Sequence, residues 1–213
     1  MTSDLSMLEA HPVASVLDRF IPDPDLQIRH KITVRAPAAF VLETAQTFDL
    51  RAARLVRAIF WLRGAILGAK APAPDWSSGF VPVMLRMGWG VLTHEADRWF
   101  VAGTVCQPWL ADVVMKPISP EQFAEYSEPN QVKIIWTLEA DPLGEARCRF
   151  ATETRALATD AEGQAKFRRY WRRFGLGMAM VRWLLLPAIR REAERRWQGS
   201  DKTSTNDSAC RRN

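Results

Sequence analysis

The chain has 213 residues, of which 47% are hydrophobic and 25% charged, a composition typical of one globular domain with a substantial core. Its three cysteines include no CxxC pair, which argues against a disulfide scaffold and is typical of a reducing compartment. The net charge of +5 is concentrated in the segment 166–197, which holds ten Lys or Arg against two Glu.

The sequence carries no signal for export or for a membrane span. Residues 1–9 have neither a basic start nor an apolar run, so we expect no secretory signal. The nearest approach to a spanning helix, residues 174–189, is interrupted by Arg182 and Pro187 and is shorter than the roughly 18 apolar residues that a span needs. We therefore expect a cytoplasmic protein.

The first regular element is a strand. Residues 1–25 form a weakly patterned lead-in, and its last prolines favour an extended backbone. From residue 27 to 35 apolar and polar residues alternate, which predicts a half-buried strand. Its inner face carries Ile28, His30, Ile32 and Val34.

Two helices and a loop follow this strand. Pro37 suits the first turn of a helix, which we predict over 38–47. Apolar residues at helical spacing predict a second helix over 51–67. The segment 69–79 is rich in Ala, Pro and Ser and is predicted to be a loop.

Beyond the loop the apolar period shortens toward two, which predicts a sheet. The predicted strands cover 89–95, 99–106, a segment between 115 and 126, and a hairpin of 132–140 with 145–157 turned at 141–144. In this hairpin the alternation places Trp136 on the inner face of the first strand. It places Phe150, Thr152 and Thr154 on the inner face of the second.

A long helix completes the predicted domain. It begins after Thr159-Asp160, a capping pair, and reaches about residue 197. Its apolar residues recur at steps of mostly three or four and share one face: Phe167, Tyr170, Trp171, Phe174, Met178, Val181, Leu185 and Ile189. Residues 198–213 are predicted to be a disordered polar tail. The order of elements predicts an α+β fold in which a curled antiparallel sheet wraps around the C-terminal helix.

Several phrases of the sequence carry a family resemblance. They are Arg29–Val34 with Ala36-Pro37, Thr152–Arg155 with Thr159-Asp160, Phe167–Trp171, and Ile189–Glu194. The chain resembles the helix-grip fold of the START-like (SRPBCC) superfamily, and more closely a bacterial branch of polyketide-cyclase-like proteins. The resemblance implies a domain over 26–197 with a cavity between sheet and helix, suited to an apolar or amphipathic small molecule. It implies no catalytic residue, because the superfamily shares no catalytic motif.

Large rings are the first candidates for contact with such a ligand. Trp136 and Phe150 lie on the inner faces of the hairpin strands, and Tyr170 and Trp171 lie on the helix face opposite them. Rings of this size can line a pocket for a planar or acyl ligand. The same rings can also fill a solid core, and the sequence leaves both alternatives open.

Polar residues on the predicted inner faces are the second group of candidates. His30, Thr152 and Thr154 need hydrogen-bond partners if they are buried, and a ligand can supply them. The alternatives are a histidine satisfied by a backbone group and threonines that serve only their β-branched shape. Glu153 and Arg155 alternate to the opposite side, where we expect an exposed ion pair.

Motifs for other chemistry are missing from the sequence. The three histidines are scattered, and neither a GxSxG motif nor a glycine-rich phosphate loop occurs. We therefore expect no metal, no cofactor and no catalytic residue that a motif identifies.

Three functions remain open at this point. A non-catalytic binder of an apolar small molecule is the favoured hypothesis. The second is an enzyme of cyclase or dehydratase type with His30 as its acid or base. The third is a lipid-handling protein whose arginine face makes weak contact with an anionic membrane. Nucleic-acid binding is disfavoured, because the aromatic residues of the basic helix lie on its predicted buried side and cannot stack on bases.

Overall fold

The computed structural model describes residues 12–72 and 74–210. The helices are α1 Pro12–Asp18, α2 Ala38–Gln46, α3 Arg54–Leu67, α4 Phe80–Arg86, α5 Pro120–Phe123 and α6 Ala161–Cys210. The strands are β1 Leu26–Val34, β2 Gly90–Glu95, β3 Trp99–Cys106, β4 Val132–Pro142 and β5 Cys148–Ala158. All strands pair antiparallel in one sheet, in the order β1-β5-β4-β3-β2. The predicted α+β helix-grip fold, a curled sheet against a long C-terminal helix, is confirmed.

Two short helices, α4 and α5, were not predicted from the sequence. The segment 115–126, described throughout, forms no strand; Lys116 makes an isolated bridge to Val105, and α5 follows. Ser119 caps α5 by accepting a hydrogen bond from the backbone N–H of Gln122, and this local capping outweighs the apolar alternation. The sequence also missed α4, because seven residues are too few for a helical period to show.

The inner face of the sheet carries two separate apolar cores, one under each half of α6. The larger core joins Phe150 of β5 to Leu186 and Ile189 of α6 and also includes α2. The smaller core joins Val132 of β4 and Ala156 of β5 to Phe167 and Tyr170, which lie near the beginning of α6. Full burial of one such side chain stabilises the fold by roughly 1.5–3 kcal/mol, so the two cores anchor the helix at two places.

The outer face of the sheet is covered by the N-terminal segment, which the sequence had predicted only as a lead-in. The residues that pack there are Val13, Leu17, Phe20 and Ile21. They contact a core that includes Val101, Ile135 and Phe123. The packed part of the chain therefore extends at least to Val13, beyond the predicted domain start at residue 26. Residues 1–11 of the predicted lead-in lie outside the described residues.

A buried charge network also joins the N-terminal segment to the outer face. Glu153 and Arg155 point outward as the alternation predicted, but they are only 1% and 5% exposed, so the expectation of an exposed pair is wrong. Arg155 bonds to Glu153 at 2.7 Å and to Asp18 at 2.5 Å, and Arg29 bonds to Glu153 at 2.8 Å and to Glu139 at 2.5 Å. The expectation failed because α1 and the residues after it exclude water from this face.

Hydrogen bonding decides the charge of the central carboxylate in this network. Burial acts to raise the pKa of Glu153, but the hydrogen bonds from Arg155 and Arg29 outweigh it and hold the pKa below its ordinary value. Glu153 is therefore ionised at neutral pH and pairs with both guanidinium groups. The ion pair of Arg155 with Asp18 joins this network to α1.

The long helix begins as predicted and ends later than predicted. The carboxylate of Asp160 accepts a hydrogen bond from the backbone N–H of Gly163 at 2.6 Å, which caps α6. The helix includes Pro187 and continues to Cys210, so most of the segment 198–213 is helical rather than a disordered tail. The sequence after Pro187 contains no further proline that would interrupt a helix. None of the described helices is long and apolar enough to cross a membrane.

The role of the N-terminal segment is testable by truncating one side chain. Leu17 is fully buried, so we expect Leu17→Ala to lower the free energy of unfolding by about 2–5 kcal/mol. Leu143, in the β4–β5 hairpin, is 38% exposed, and Leu143→Ala should stay within about 0.5 kcal/mol of the wild type. Urea unfolding of both variants measures the difference. Equal stability of the two variants would show that residues 13–21 are not part of the core.

Candidate ligand-binding site

The part of α6 between its two core contacts is packed less tightly than the parts that make those contacts. Tyr170 and Leu185 are buried in the two inner cores. Between them, four apolar residues of the helix are only half-buried: Phe174, Met178, Val181 and Leu184. Ile134, on the central strand β4, is half-buried too and packs against both cores. We call Phe174, Met178, Val181, Arg182 and Leu184 of α6, together with His30, Ile134 and Thr154 of the sheet, the mid-helix zone.

Arg182 is the main polar group of this zone. Its guanidinium donates hydrogen bonds to the backbone carbonyl of Met178 at 3.0 Å and to the hydroxyl of Thr154. Among the described residues no carboxylate pairs with it. Burial lowers the pKa of Arg182 from its ordinary value to about 10, so the side chain remains charged at neutral pH. A half-buried cation without an anionic partner is costly, because its hydration is only partly replaced.

His30 faces the same zone from β1. The indole Nε1–H of Trp183 donates to its Nε2, and its Nδ1 is buried without a hydrogen-bond partner among the described residues. Burial and the nearby charge of Arg182 lower the pKa of His30, so the imidazole is neutral at neutral pH. Since Nε2 accepts, the proton of the neutral ring lies on Nδ1. His30 is therefore an unsatisfied donor, and not the histidine bonded to a backbone group that was the alternative.

The two predicted threonines differ in their partners. Thr152 pairs with His30 across β5 and β1, and its hydroxyl donates to the backbone carbonyl of Thr137 at 2.6 Å. Thr154 pairs with Trp136 across β5 and β4 and accepts from Arg182. Only Thr154 therefore contacts the polar group of the mid-helix zone directly.

An aromatic cluster fills the inner face beside the zone. Trp136 is 6% exposed, and its ring centroid lies 5.2 Å from that of Phe80, 5.7 Å from that of Phe100 and 6.0 Å from that of Trp89. The Nε1–H groups of Trp136 and Trp89 are buried and have no acceptor among the described residues. The space that the sequence predicted as a cavity is thus partly occupied by rings, two of which carry unsatisfied donors.

The remaining predicted rings do not form one wall with Trp136. Phe150 is fully buried in the larger core. Tyr170 belongs to the smaller core, and its hydroxyl accepts a hydrogen bond from Nε of Arg63 at 3.0 Å. Trp171 packs at the edge of that core. These three side chains lie toward the two ends of the helix interface, and the mid-helix zone separates them.

Sequence reasoning missed the central residue of the zone. From the sequence, Arg182 was considered only as an interruption of the apolar segment 174–189. Its position carries a signal nevertheless, since it lies four residues after Met178 and three before Leu185, on the apolar stripe itself. An arginine at such a position predicts a cation under the helix. The contact between Trp183 and His30 could not be inferred, because Trp183 lies outside the stripe.

A surface hollow of about 410 Å³ lies elsewhere on the molecule. Its lining includes Leu42 of α2, His94 of β2 and Phe100 of β3. No predicted ligand-binding residue lines it. The hollow is therefore distinct from the mid-helix zone.

This chain is similar to known proteins in its fold. No family model and no curated protein matches this chain. Among solved structures, it is similar to the Zhui aromatase/cyclase from Streptomyces, with 14% identity and a TM-score of 0.30 over 80% of this chain and 94% of that one. It is also similar to norcoclaurine synthase from Thalictrum flavum, in complex with dopamine and hydroxybenzaldehyde, with 13% identity and a TM-score of 0.33 over 73% and 83% of the two chains.

The energetic cost of Arg182 leads to a prediction about stability. Because burial lowers its pKa, its charged form opposes folding in full at every pH below about 10, and the penalty falls only as the pH rises from that value toward the ordinary pKa of arginine. We expect Arg182→Met to raise the free energy of unfolding at pH 7 by about 1 kcal/mol. Arg191→Met, at an exposed position of the same helix, should change it by less than about 0.5 kcal/mol. A clear loss of stability in Arg182→Met, measured by urea unfolding, would contradict this view of Arg182.

Proposed function

We propose that the chain binds an amphipathic small molecule in the mid-helix zone. The acidic or carbonyl end of the ligand lies at Arg182, and its apolar body extends along Met178 and Ile134. The observation that carries the proposal is the half-buried guanidinium without an anionic partner among the described residues. A residue that costs stability is retained when it serves binding or catalysis.

The chemistry of the unsatisfied groups indicates what the ligand offers. His30 Nδ1–H and the Nε1–H groups of Trp136 and Trp89 are all donors without acceptors among the described residues. Arg182 adds further donors and a positive charge. A ligand that matches this set carries several acceptor oxygens. A carboxylate or an enolate matches it better than a neutral carbonyl, because attraction to the guanidinium is strong where water is scarce.

The dimensions of the zone indicate the size of the apolar part. Phe174 and Arg182 are eight residues apart on α6, which corresponds to about 12 Å along a helix axis. The side chains facing the sheet over this distance are apolar up to Arg182. A ligand of about this length would cover the half-buried apolar surface and place its polar end at the cation.

Movement of the Trp183 side chain would admit such a ligand. Its side chain is 68% exposed, and its tertiary hydrogen bond goes to His30. Exposed side chains change rotamer on the picosecond to nanosecond scale. Rotation of Trp183 away from His30 would uncover the imidazole without disturbing either inner core.

Catalysis by His30 fits this arrangement less well than binding does. A general base needs a free lone pair, but Nε2 already accepts from Trp183, and Nδ1 carries the proton in this tautomer. The nearby charge of Arg182 also disfavours protonation of the ring, as an acid would require. His30 is better suited to donate a hydrogen bond to a bound oxygen.

The proposal predicts a preference for acidic ligands that depends on Arg182. Calorimetric titration with naphthoate and with naphthamide, which have the same apolar body, measures that preference. We expect the wild type to bind naphthoate more tightly than naphthamide by roughly tenfold or more, since a hydrogen bond to a charged group contributes about 1.5–3 kcal/mol. In Arg182→Gln the two affinities should become equal.

The matched control is Arg190→Gln, on the solvent side of the same helix, where the arginine pairs with Glu194 at 3.2 Å. This variant should keep the wild-type preference. Equal affinity of the wild type for both probes, or a preference that survives in Arg182→Gln, would refute the proposed role of the cation. Loss of the preference in both variants would attribute it to the net charge of the helix instead.

A further inference from the structure

A large apolar surface is exposed on the side of the molecule where α3 packs beside α6. Its members are Leu55, Trp61, Leu62 and Ile66 of α3 and Leu176, Met180 and Trp183 of α6, each between 46% and 79% exposed. Single exposed apolar side chains are common, but a group of seven on two neighbouring helices is typical of an interaction site. We call this group the α3–α6 surface.

The helices α3 and α6 contact each other beside this surface. A side chain added at Gly177 would lie 3.5 Å from Ile59, so these two positions mark the contact between α6 and α3. Leu62 follows Ile59 by three residues on α3, and Met180 follows Gly177 by three on α6. Because residues three or four apart share one side of a helix, Leu62 and Met180 lie beside this contact, whereas Trp61 and Trp183 lie further round their helices.

The α3–α6 surface is bordered by arginines and lacks carboxylates. Arg54 and Arg57 lie on α3, and Arg172 and Arg173 lie one turn before Leu176 on α6; all four are exposed. None of them forms an ion pair with a described residue. The segments 54–67 and 163–191 contain no Asp or Glu at all. The border is therefore positive on both helices and is not neutralised locally.

We infer that the α3–α6 surface docks on an anionic lipid bilayer. Apolar side chains would enter the boundary between headgroups and acyl chains, while the arginines bind lipid phosphates, as on helices that lie in a membrane interface. Trp61 suits that boundary, because its indole ring has an apolar body and a polar N–H group. Each arginine near an anionic surface strengthens binding about fivefold.

Charge favours a bilayer over a second copy of the chain. A two-fold interface brings the same patch of both copies together, so the arginine borders of the two surfaces would face each other. That arrangement buries like charges without counter-ions and is unfavourable. An anionic bilayer supplies the opposite charge along with the apolar phase. The inference depends on the α3–α6 surface only and stands whether or not the mid-helix zone binds a ligand.

Co-sedimentation with vesicles tests the inference. The full chain should bind vesicles of phosphatidylcholine with phosphatidylglycerol, and should not bind vesicles of phosphatidylcholine alone. High salt should release it, because surface electrostatics are screened.

Arg172→Gln with Arg173→Gln removes two border charges and should weaken binding roughly thirtyfold. Leu62→Gln with Leu176→Gln removes apolar area at exposed positions and should weaken binding without lowering the unfolding midpoint.

The matched control is Arg147→Gln with Arg149→Gln, which removes two charges at the β4–β5 hairpin, away from α3 and α6. It should bind like the wild type. The inference is overturned if the wild type does not bind anionic vesicles, if it binds neutral vesicles equally well, or if the control loses as much affinity as the border variant. A stable dimer that is disrupted by Leu62→Gln with Leu176→Gln, without vesicle binding, would assign the surface to a second copy.

Discussion

A single sheet has two faces, and the fold of this chain depends on covering both of them with elements that are far apart in sequence. α6 covers the inner face from the C-terminal side, and the segment 13–21 covers the outer face from the N-terminal side. Neither apolar face would be stable in water alone. The outer cover is held by apolar contacts and by ion pairs to the sheet, of which Arg155 with Asp18 is the most direct. Both α6 and the N-terminal segment contact β5, the strand that lies between β1 and β4.

The inner cover is uneven, and this unevenness produces the candidate site. α6 is anchored by one core near Phe167 and another near Ile189, and between them its apolar side chains are only half-buried. Arg182 lies in that interval with Thr154 as its side-chain partner. A chain selected for stability alone would have an apolar residue there, because it would join the two cores. The cation and the unsatisfied donor of His30 near it are the observations on which the proposed binding role rests.

Periodic patterns predicted the parts of the fold that depend on local alternation. β1, β3, the β4–β5 hairpin and the start of α6 follow directly from residue spacing. The cover of the outer face could not be predicted, because a seven-residue helix such as α1 is too short for a clear period and the burial of Glu153 depends on it. Within the site, His30, Thr154 and Trp136 were predicted from the strand faces. Arg182 was missed because it was considered only as an interruption of an apolar segment, although its spacing from Met178 and Leu185 placed it on the buried stripe.

The central claim is that the cation under α6 holds an acidic small molecule, and native mass spectrometry of freshly purified protein tests it most directly. The wild type and Arg182→Met are compared under native conditions and after denaturation. The account predicts a reproducible mass excess on the wild type that denaturation releases, and none on the variant. The same mass excess on both proteins, or an unliganded mass for the wild type, would contradict it.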